Sequence, residues 1–420
     1  MSTTVLPLKR FVDPARPITY GIVQAGPDVE GGVPYIRPVD MEEHRGVPDP
    51  VALRTTSREI AATYGRSRIQ RGDVVVSIGP SFGKTMLVED LRLEGANLTQ
   101  GTARVAPGPG VYGRFLQWAL QSGQAVAHWE ASVGGATFRA LNLGPLAETP
   151  VPRWELRSQR VIADYLDTET ARIDALIAKK EALSQGVNER LGAMVSRSLG
   201  GDQPWRTDAL PSLPEAWEWI AARHIFPTVT VGVVVNPSHY FTEVGVPFIH
   251  GTDIRLGEID QSSLKHLSDE DSRGPLAKSR LQSGDVIAMR VGEPGRAAVV
   301  PPELEGANCA SVIIFKRSGM LDSWLVAEFL NSSPGRAQVE MAQYGAAQGV
   351  LNVSDALAIR FPVPPLDVQR VLREQLGETR RSARVLIEKL SAQIALLEEH
   401  RQALITAAVT GELEVPGVAA

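Results

Sequence analysis

Apolar side chains near the C-terminus of the chain recur at alternating steps of four and three residues. Arg401 stands where a further apolar residue is expected, and Gly411 follows the end of the series. The apolar positions of the series are Ala383, Ile387, Leu390, Ile394, Leu397 and Leu404. Such a heptad pattern is typical of a helix packed against another helix, and glycine is a common residue at a helix end. The pattern therefore predicts a long helix over about residues 370–411.

A second series of the same kind lies in the middle of the chain, over residues 157–200. Glu169, Lys180 and Arg190 interrupt it. Its apolar positions are Ile162, Leu166, Ile173, Leu176, Leu183, Val187 and Met194. We expect these two sets of apolar side chains to form the core between the two helices. Two long helices, each closing one half of the chain, also suggest a tandem repeat.

Short motifs outside the helices repeat in the same order. GVPYI at 32–36 recurs as GVPFI at 245–249, and an aspartate follows each copy four residues later, at Asp40 and Asp253. Further matches are 68–75 with 280–287, 83–84 with 295–296 and 141–143 with 351–353. Matching positions are about 210 residues apart throughout, so the chain is two copies of one unit.

The globular part of each copy has mixed α/β character. Segments 32–36 and 73–78 have the β-branched residues of strands, and 112–120 has apolar residues at helical spacing. We therefore predict an α/β (mixed α+β) fold with two globular domains, each followed by a long helix. The predicted boundaries are 1–152 for the first domain, 153–200 for its helix, 201–364 for the second domain, 365–412 for its helix and 413–420 for a frayed tail.

The composition says more about the cellular compartment and the possible binding partners of the protein than about its fold. Cys309 is the one cysteine, so no disulfide can form within the chain, and we expect it to be a buried small apolar residue in a reducing cytoplasm. No apolar run reaches the length of a membrane span, and the N-terminus lacks the pattern of a signal peptide. The net charge of −5 does not exclude DNA binding, because a DNA-binding face needs only a local basic stripe.

Two segments resemble catalytic motifs without meeting their requirements. The segment 79–85, GPSFGKT, is like a phosphate-binding loop, but its first glycine is one residue too close and Pro80 removes a backbone amide. The segment 236–240, NPSHY, differs from the adenine methyltransferase motif by an extra residue. The histidines show no pair at metal-ligand spacing. We therefore expect no metal, no cofactor and no catalytic set in this chain.

Taken together, the motifs resemble the specificity (S) subunits of type I restriction–modification enzymes, and the likeness covers almost the whole chain. The segments that carry it are GVPYIRPVD at 32–40, GDVVVS at 72–77 with Gly83-Lys84 after it, IADYLD at 162–167 before IDALI at 173–177, and HRQALI at 400–405 running into AVTG at 408–411. The sequence departs from the pattern before the long helices, where only Gln159 and Gln369 remain of a usual Glu-Gln pair.

The resemblance implies a non-catalytic DNA reader. Two target-recognition domains would each read one half of an interrupted site in double-stranded DNA, and the long helices would pair as an antiparallel coiled coil with pseudo-twofold symmetry. Two M (methyltransferase) subunits would dock on the helices, and R (restriction) subunits would join them. S-adenosylmethionine, ATP and Mg²⁺ would be bound by those partners. Because the two copies differ in sequence, the DNA target should be asymmetric.

Candidate DNA contacts lie where predicted strands give way to loops, since Arg, Lys, Asn and Gln read base edges and small polar groups hold phosphates. They are Arg37, Ser81, Lys84, Thr85, Gln100, Arg104 and Thr137 in the first copy and His250, Arg290, Arg296 and Gln348 in the second. The alternative for each is a solvated surface residue. Lys84 and Arg296 stand out because the repeat places a basic residue after a glycine in both copies.

Candidate partner contacts lie on the flank of the C-terminal helix, outside the predicted helix-pair core. They are Arg380, Arg381, Arg384, Val385, Leu386 and Glu388. Two other functions stay open from the residues alone. One is a P-loop NTPase with a helical dimerisation arm, and the other is a coiled-coil adaptor that binds no DNA.

Overall fold

The computed structural model describes residues 4–42, 46–133, 139–200, 212–234, 237–255, 257–343 and 349–418. The chain divides into two compact units: unit 1 comprises 1–181 and 391–420, and unit 2 comprises 182–390. Each unit therefore contains one globular part, the beginning of the long helix that follows it, and the end of the other long helix. This division cuts both long helices, whereas the predicted boundaries keep each helix whole.

The first copy contributes short strands, short helices and one long helix. The strands are β1 (Val5–Pro7), β2 (Thr19–Tyr20), β3 (Val33–Ile36), β4 (Thr55–Thr56), β5 (Val74–Ser77), β6 (Thr85–Leu87), β7 (Asn97–Leu98), β8 (Thr102–Val105) and β9 (Pro150–Pro152). The helices are α1 (Arg58–Thr63), α2 (Gly113–Leu120), α3 (Gly123–Val133), α4 (Leu143–Ala147) and α5 (Leu156–Gly200). The helix α5 matches the predicted first long helix within a few residues.

The second copy repeats this order of elements. Its strands are β10 (Glu218–Ala221), β11 (Val229–Val231), β12 (Phe241–Thr242), β13 (Val246–His250), β14 (Lys265–Leu267), β15 (Val286–Met289), β16 (Ala297–Val299), β17 (Asn308–Ala310), β18 (Val312–Phe315) and β19 (Arg360–Val363). Its helices are α6 (Ala222–Ile225), α7 (Asp269–Arg273), α8 (Ser323–Asn331), α9 (Ser333–Gln343), α10 (Val353–Ala358) and α11 (Leu366–Thr410).

The sheets of the two units have the same strand order. The four-stranded antiparallel sheet β2-β8-β5-β6 of unit 1 corresponds to β11-β18-β15-β16 of unit 2. The sheet β4-β3-β7, with β3 parallel to β7, corresponds to β14-β13-β17, to which β12 adds an edge strand. The pair β1-β9 corresponds to β10-β19. The predicted mixed α/β fold in two copies is therefore confirmed.

Each unit has one core against the long helices and further cores beneath the smaller sheet. In unit 1 the helix-facing core joins Phe115 of α2 and Leu166 of α5 to Ile405 and Val409 of α11. In unit 2 the corresponding core includes Leu199, from the end of α5. The end of α11 thus completes the core of unit 1, and the end of α5 completes the core of unit 2.

Within unit 1 the start of α5 lies antiparallel to the end of α11. The Nε of Arg401 donates to Asp174 Oδ1 at 3.0 Å, and Lys180 Nζ donates to Gln393 Oε1 at 2.6 Å. The residue number on α11 falls as the number on α5 rises, which is the mark of antiparallel pairing. The predicted antiparallel pairing of the helices is confirmed.

The packed face of α5 differs from the predicted one at two positions. Between residues 173 and 191 its buried or half-buried positions are Ile173, Ile177, Lys180, Ser184, Val187 and Leu191. Of the other predicted positions, Ile162 and Leu166 are buried and Met194 is half-buried. Leu176 and Leu183 were predicted in the core, which is wrong, since they are 46% and 51% exposed. The six apolar positions predicted on α11 are all buried or half-buried.

The repeat itself contains the signal that corrects the face of α5. Ile177 and Leu191 lie about 210 residues before Ile387 and Arg401, the matching positions of the α11 series. The prediction placed Leu176 and Leu183 in the core, although each lies one position before a residue of the packed face. A single heptad series with polar interruptions fits more than one register, so the sequence of α5 alone did not distinguish them. Matching the two helices removes that ambiguity.

The C-terminal tail is packed, in contrast to the frayed tail that was predicted. Val415 is buried in the helix-facing core of unit 1, and Leu413 and Val418 pack against that core. The backbone amide of Leu413 donates to the carbonyl of Ala407 at 2.9 Å. The apolar residues at 413, 415 and 418 explain the packing, because each removes apolar surface from water.

Candidate nucleic-acid interface

Loops that follow three strands of unit 1 meet in one place. The amides of Ile78 and Gly79 donate to the carbonyl of Gly101 at 2.7 and 3.0 Å. Pro38 packs so tightly on Gly101 that an added Cβ would lie 2.8 Å from the proline Cγ. We call residues 37–41, 79–84 and 100–101 the strand-end cluster. Four of the predicted DNA contacts belong to it: Arg37, Ser81, Lys84 and Gln100.

The two cationic side chains of the strand-end cluster already have partners. Arg37 donates from Nε and Nη2 to the carboxylate of Asp40 at 2.9 and 2.6 Å, and this hydrogen bonding raises the pKa of Arg37. Lys84 Nζ donates to the carbonyls of Met41 at 2.7 Å and Pro38 at 3.3 Å. Both cations therefore brace the turn after β3, while Ser81 and Gln100 are exposed.

Two predicted DNA contacts of unit 1 are wrong because the side chains are buried. Thr85 lies in β6, and its hydroxyl accepts from Gln121 Nε2 at 2.9 Å. Arg104 lies in β8 and is 4% exposed, and burial lowers the pKa of its guanidinium. It donates to the backbone carbonyls of Arg66, Arg68 (3.2 Å) and Pro17 (3.2 Å). The sequence does not reveal this, because nonlocal loops supply the carbonyls.

Arg104 instead positions an exposed basic segment that the sequence analysis did not select. Arg66 and Arg68, whose carbonyls accept from Arg104, have exposed side chains, as has Arg58 on α1. The corresponding helix of unit 2, α7, carries Asp269 and Glu270 in exposed positions. The closely spaced arginines of 66–71 were the available signal. Charge therefore differs between the matching helices α1 and α7, whereas Lys278 and Arg280 of unit 2 match Arg66 and Arg68 and keep the basic charge.

Two predicted DNA contacts of unit 2 lie at the ends of β13 and β15. His250 pairs with Ala310 across the sheet, and the amide of Arg290 donates to the carbonyl of Ser311 at 3.1 Å. The Arg290 side chain donates from Nε to the carbonyl of Leu351 at 3.0 Å. Gly251 and Arg290 thus adjoin Ser311, as Pro38 and Ile78 adjoin Gly101 in unit 1.

Arg296 and Lys84 occupy matching positions but have different surroundings. Arg296 forms an ion pair with Glu293 and lines a cavity of about 840 Å³ within unit 2. Val195 of α5 and Arg380 of α11 also line this cavity. Lys84 braces a turn and Arg296 faces the long helices, so the two matching bases have different surroundings, and their role as DNA contacts stays a prediction. Thr137 and Gln348, also predicted, lie outside the described residues.

The predicted partner-contact residues on α11 divide into buried and exposed members. The prediction that Arg380 contacts a partner subunit is wrong, because its side chain pairs with the buried carboxylate of Glu328. Burial lowers the pKa of the Arg380 guanidinium. Arg384 is exposed and pairs with Glu258 and with Glu388 at 2.8 Å. The remaining predicted positions, Arg381, Val385, Leu386 and Glu388, are exposed.

The segment that is like a phosphate-binding loop lies in the loop of a β-hairpin. Residues 79–84 connect β5 to β6, and the amide of Ser77 donates to the carbonyl of Lys84 at 2.8 Å. A phosphate-binding loop opens a helix, whose N-terminus binds the anion, and a strand follows here instead. The geometry therefore disfavours an NTPase.

Among the described residues, the helices are too short or too polar to cross a bilayer. The same residues contain no group of three or more His, Cys, Asp or Glu side chains arranged to hold a metal ion. Cys309 is buried on β17, as predicted, and burial raises the pKa of its thiol.

The fold and the site together define a duplicated α/β protein with a candidate reading surface on each copy and a pair of long helices. A solved chain from a structure of a type I R-M system, described for its complex assembly and conformational transition, has this fold. It superposes with a TM-score of 0.68 at 16% identity and covers 98% of each chain. No protein-family profile matches the chain.

Two curated proteins resemble this chain in sequence, and their names state a more specific class than the fold does. The type I restriction enzyme EcoBI specificity subunit of Escherichia coli is 28% identical over 215 residues, which cover 48% of this chain and 42% of that protein. The type I restriction enzyme EcoKI specificity subunit of Escherichia coli K12 is 26% identical over 157 residues, which cover 37% of this chain and 31% of that protein. The matches thus span less than half the length of each relative. The resemblance to type I specificity subunits is confirmed.

Proposed function

We propose that this chain is the DNA sequence-specificity subunit of a type I restriction–modification enzyme. Each unit reads one half of an interrupted site, and methylation and cleavage are catalysed by other subunits. The likeness to two curated specificity subunits carries the proposal. The duplicated fold supports it, since two similar units with different surfaces suit a two-part, asymmetric DNA site.

The strand-end cluster of unit 1 and its counterpart in unit 2 are the proposed reading surfaces. Exposed Ser81 and Gln100 supply hydrogen-bonding groups in unit 1, and His250 and Arg290 supply them in unit 2. The exposed Arg66 and Arg68 suit contacts to the phosphate backbone, which fix position without reading sequence. Unit 2 has Lys278 and Arg280 at the matching places, and Lys278 is exposed, so we expect both units to make phosphate contacts.

The outer faces of the long helices are the proposed docking sites for two methyltransferase subunits. Leu176 on α5 and Leu386 on α11 lie about 210 residues apart, at matching positions of the repeat, and are 46% and 42% exposed. Exposed leucines repeated in this way suit a partner present in two copies. Restriction subunits join through this assembly, and the complex works in the cytoplasm, where its DNA target is.

The test of this proposal is purification of the chain from its native host, followed by sequencing of methylated adenines in the host DNA. We expect a methyltransferase to copurify and the methylated motif to be asymmetric and interrupted by a gap. Absence of both results would contradict the proposal.

A coiled-coil adaptor without DNA binding is the remaining alternative. DNA affinity that falls steeply with salt concentration is expected of the specificity subunit, because binding releases counterions from the phosphates. An adaptor should show no affinity for DNA at any salt concentration. Titration of labelled duplex DNA at two salt concentrations, with the partner subunits present, separates the two functions.

A further inference from the structure

One turn is built in the same way in both units. In unit 1 the carboxylate of Asp40 accepts the backbone amide of Arg37 at 2.8 Å, and in unit 2 Asp253 accepts the amide of His250 at 2.8 Å. Each aspartate closes a single 3₁₀ turn directly after β3 or β13. The aspartate that follows the repeated GVP motif is thus the residue that fixes this turn.

The closed turn presents the residue before each aspartate to solvent. Val39 is 73% exposed, and Thr252 at the matching position is also exposed. Both are β-branched, so their side chains carry methyl groups and have few rotamers. A methyl group held in this way can contact another surface with little loss of conformational entropy.

In unit 1 the side chain of Lys84 hydrogen-bonds to the backbone before and after Val39. Lys84 Nζ donates to the carbonyls of Pro38 and Met41, which flank the tip. Pro38 in turn packs on Gly101, next to the exposed Gln100. Lys84 is therefore a positioning residue, and Val39 is an apolar tip of a cluster whose other exposed residues are Pro80, Ser81 and Gln100.

In unit 2 the turn adjoins a strained residue. A Cβ added to Gly251, which begins the turn, would lie 3.1 Å from the carbonyl oxygen of Ser311. That oxygen also accepts the amide of Arg290 at 3.1 Å, and Ser311 has a φ of 59°. A residue other than glycine in this left-handed conformation costs free energy, and such strain concentrates at functional sites. Thr252 thus follows a glycine that packs on the same carbonyl as the Arg290 amide.

We infer that Val39 and Thr252 are base-contacting residues that determine the specificity of their units, each placing a methyl group against the 5-methyl group of a thymine. This inference rests on the proposed function. Among the bases, thymine alone presents a methyl group in the major groove. Val39 has no hydrogen-bonding group in its side chain, so its contact with a base edge is apolar. Thr252 adds a hydroxyl, which suits a mixed contact.

The test uses the full chain with its cognate methyltransferase subunit and reads the methylated motif by sequencing host DNA. We expect Val39→Ala to relax the choice of base at one thymine of one half-site, with about fivefold less discrimination, as the loss of a buried methyl contact implies. Thr252→Ala should relax one position in the other half-site. Val39→Thr, which keeps one methyl group, should have a smaller effect than Val39→Ala.

Matched controls come from valines of similar exposure. Val51→Ala in unit 1, 79% exposed in another proline-containing 3₁₀ turn, and Val244→Ala in unit 2, 82% exposed, should leave the motif unchanged. A wild-type gapped motif that stays unchanged in both test variants overturns this inference alone. A wild-type chain that directs no gapped motif overturns the proposed function and this inference with it.

Discussion

The two units attach their long helices to their globular parts with the same glutamine. In unit 1, Gln159 Nε2 donates to the carbonyls of Gly110 at 3.1 Å and Trp154 at 2.8 Å, and its Oε1 accepts the amide of Tyr112 at 2.7 Å. The glutamine is buried near the start of α5. One side chain therefore ties the helix to the loop before α2.

Unit 2 repeats these three hydrogen bonds with different residues. Gln369 Nε2 donates to the carbonyls of Met320 at 2.9 Å and Pro364 at 2.8 Å, and its Oε1 accepts the amide of Asp322 at 2.8 Å. The partners are all backbone groups. Such an anchor is independent of the neighbouring side chains, which explains how it can coexist with different loops.

The two units differ in which partner supplies the acidic group of the contact between the globular part and its long helix. In unit 1 the globular part supplies the donors: Arg114 Nε and Trp118 Nε1 donate to Asp167 of α5 at 2.9 and 2.8 Å. In unit 2 the globular part supplies the acid, since Glu328 of α8 pairs with Arg380 of α11. Each globular part is thus complementary in charge to its own helix, and an exchange of helices would place like charges together.

The largest expected effect is at the buried ion pair of unit 2. Glu328→Ala should destabilise that unit by about 3 kcal/mol, because the guanidinium of Arg380 would stay buried without this carboxylate. Hydrogen exchange of α8 peptides measures the local stability. Glu388→Ala removes an exposed partner of Arg384 and should cost less than about 0.5 kcal/mol. Equal effects of the two variants would contradict the difference in burial.

The shared glutamine should matter equally in both units. Gln159→Ala and Gln369→Ala should each cost about 2 kcal/mol, since each leaves three backbone groups without their partner. Gln185→Ala, at an exposed position of α5, is the control and should have little effect. Local stability of each unit by hydrogen exchange is the measurement. A difference above about 1 kcal/mol between the first two variants would show that the anchors are not equivalent.

A smaller effect distinguishes the sheets of the two units. Arg104 pairs with Val75 where unit 2 pairs Ile314 with Ile287. Arg104→Ala should destabilise unit 1 by about 1–2 kcal/mol through lost hydrogen bonds to the loop carbonyls. DNA affinity of the folded variant should fall less than that of an Arg66→Ala variant, in which a proposed phosphate contact is removed. The opposite order would restore Arg104 as a DNA contact.

The smallest effect on stability is expected at the matched exposed leucines. Leu176→Asp or Leu386→Asp should change the stability by less than about 0.5 kcal/mol, because both side chains are near half exposed. Each variant should retain one bound methyltransferase subunit, and the double variant should retain none. Native mass spectrometry measures this stoichiometry. Two bound subunits in every variant would contradict docking at these leucines.

The matching heptads show how far a local pattern can predict this fold. Both long helices and the mixed α/β character of the two copies follow from spacing and repetition. The antiparallel pairing was expected only from the resemblance to specificity subunits. Which side of α5 is exposed was harder to predict, because Leu176 and Ile177 both fit an apolar series with polar interruptions. Gln159 and Gln369, near the starts of the two helices, are 210 residues apart, and this offset matches Leu176 with Leu386 and Ile177 with Ile387. The choice can therefore be made from the sequence.

The sequence by itself determined the duplication, the long helices and the likeness to specificity subunits, because periodicity and ordered motifs are written along the chain. Only the tertiary structure decided that Arg104 is buried, that Lys84 braces a turn, that Arg296 faces the helices and that Val415 packs on unit 1. The physical reason is that the burial and pairing of a side chain depend on residues distant in sequence. A basic residue in a loop has the same local signature whether its partner is a backbone carbonyl, a carboxylate or DNA.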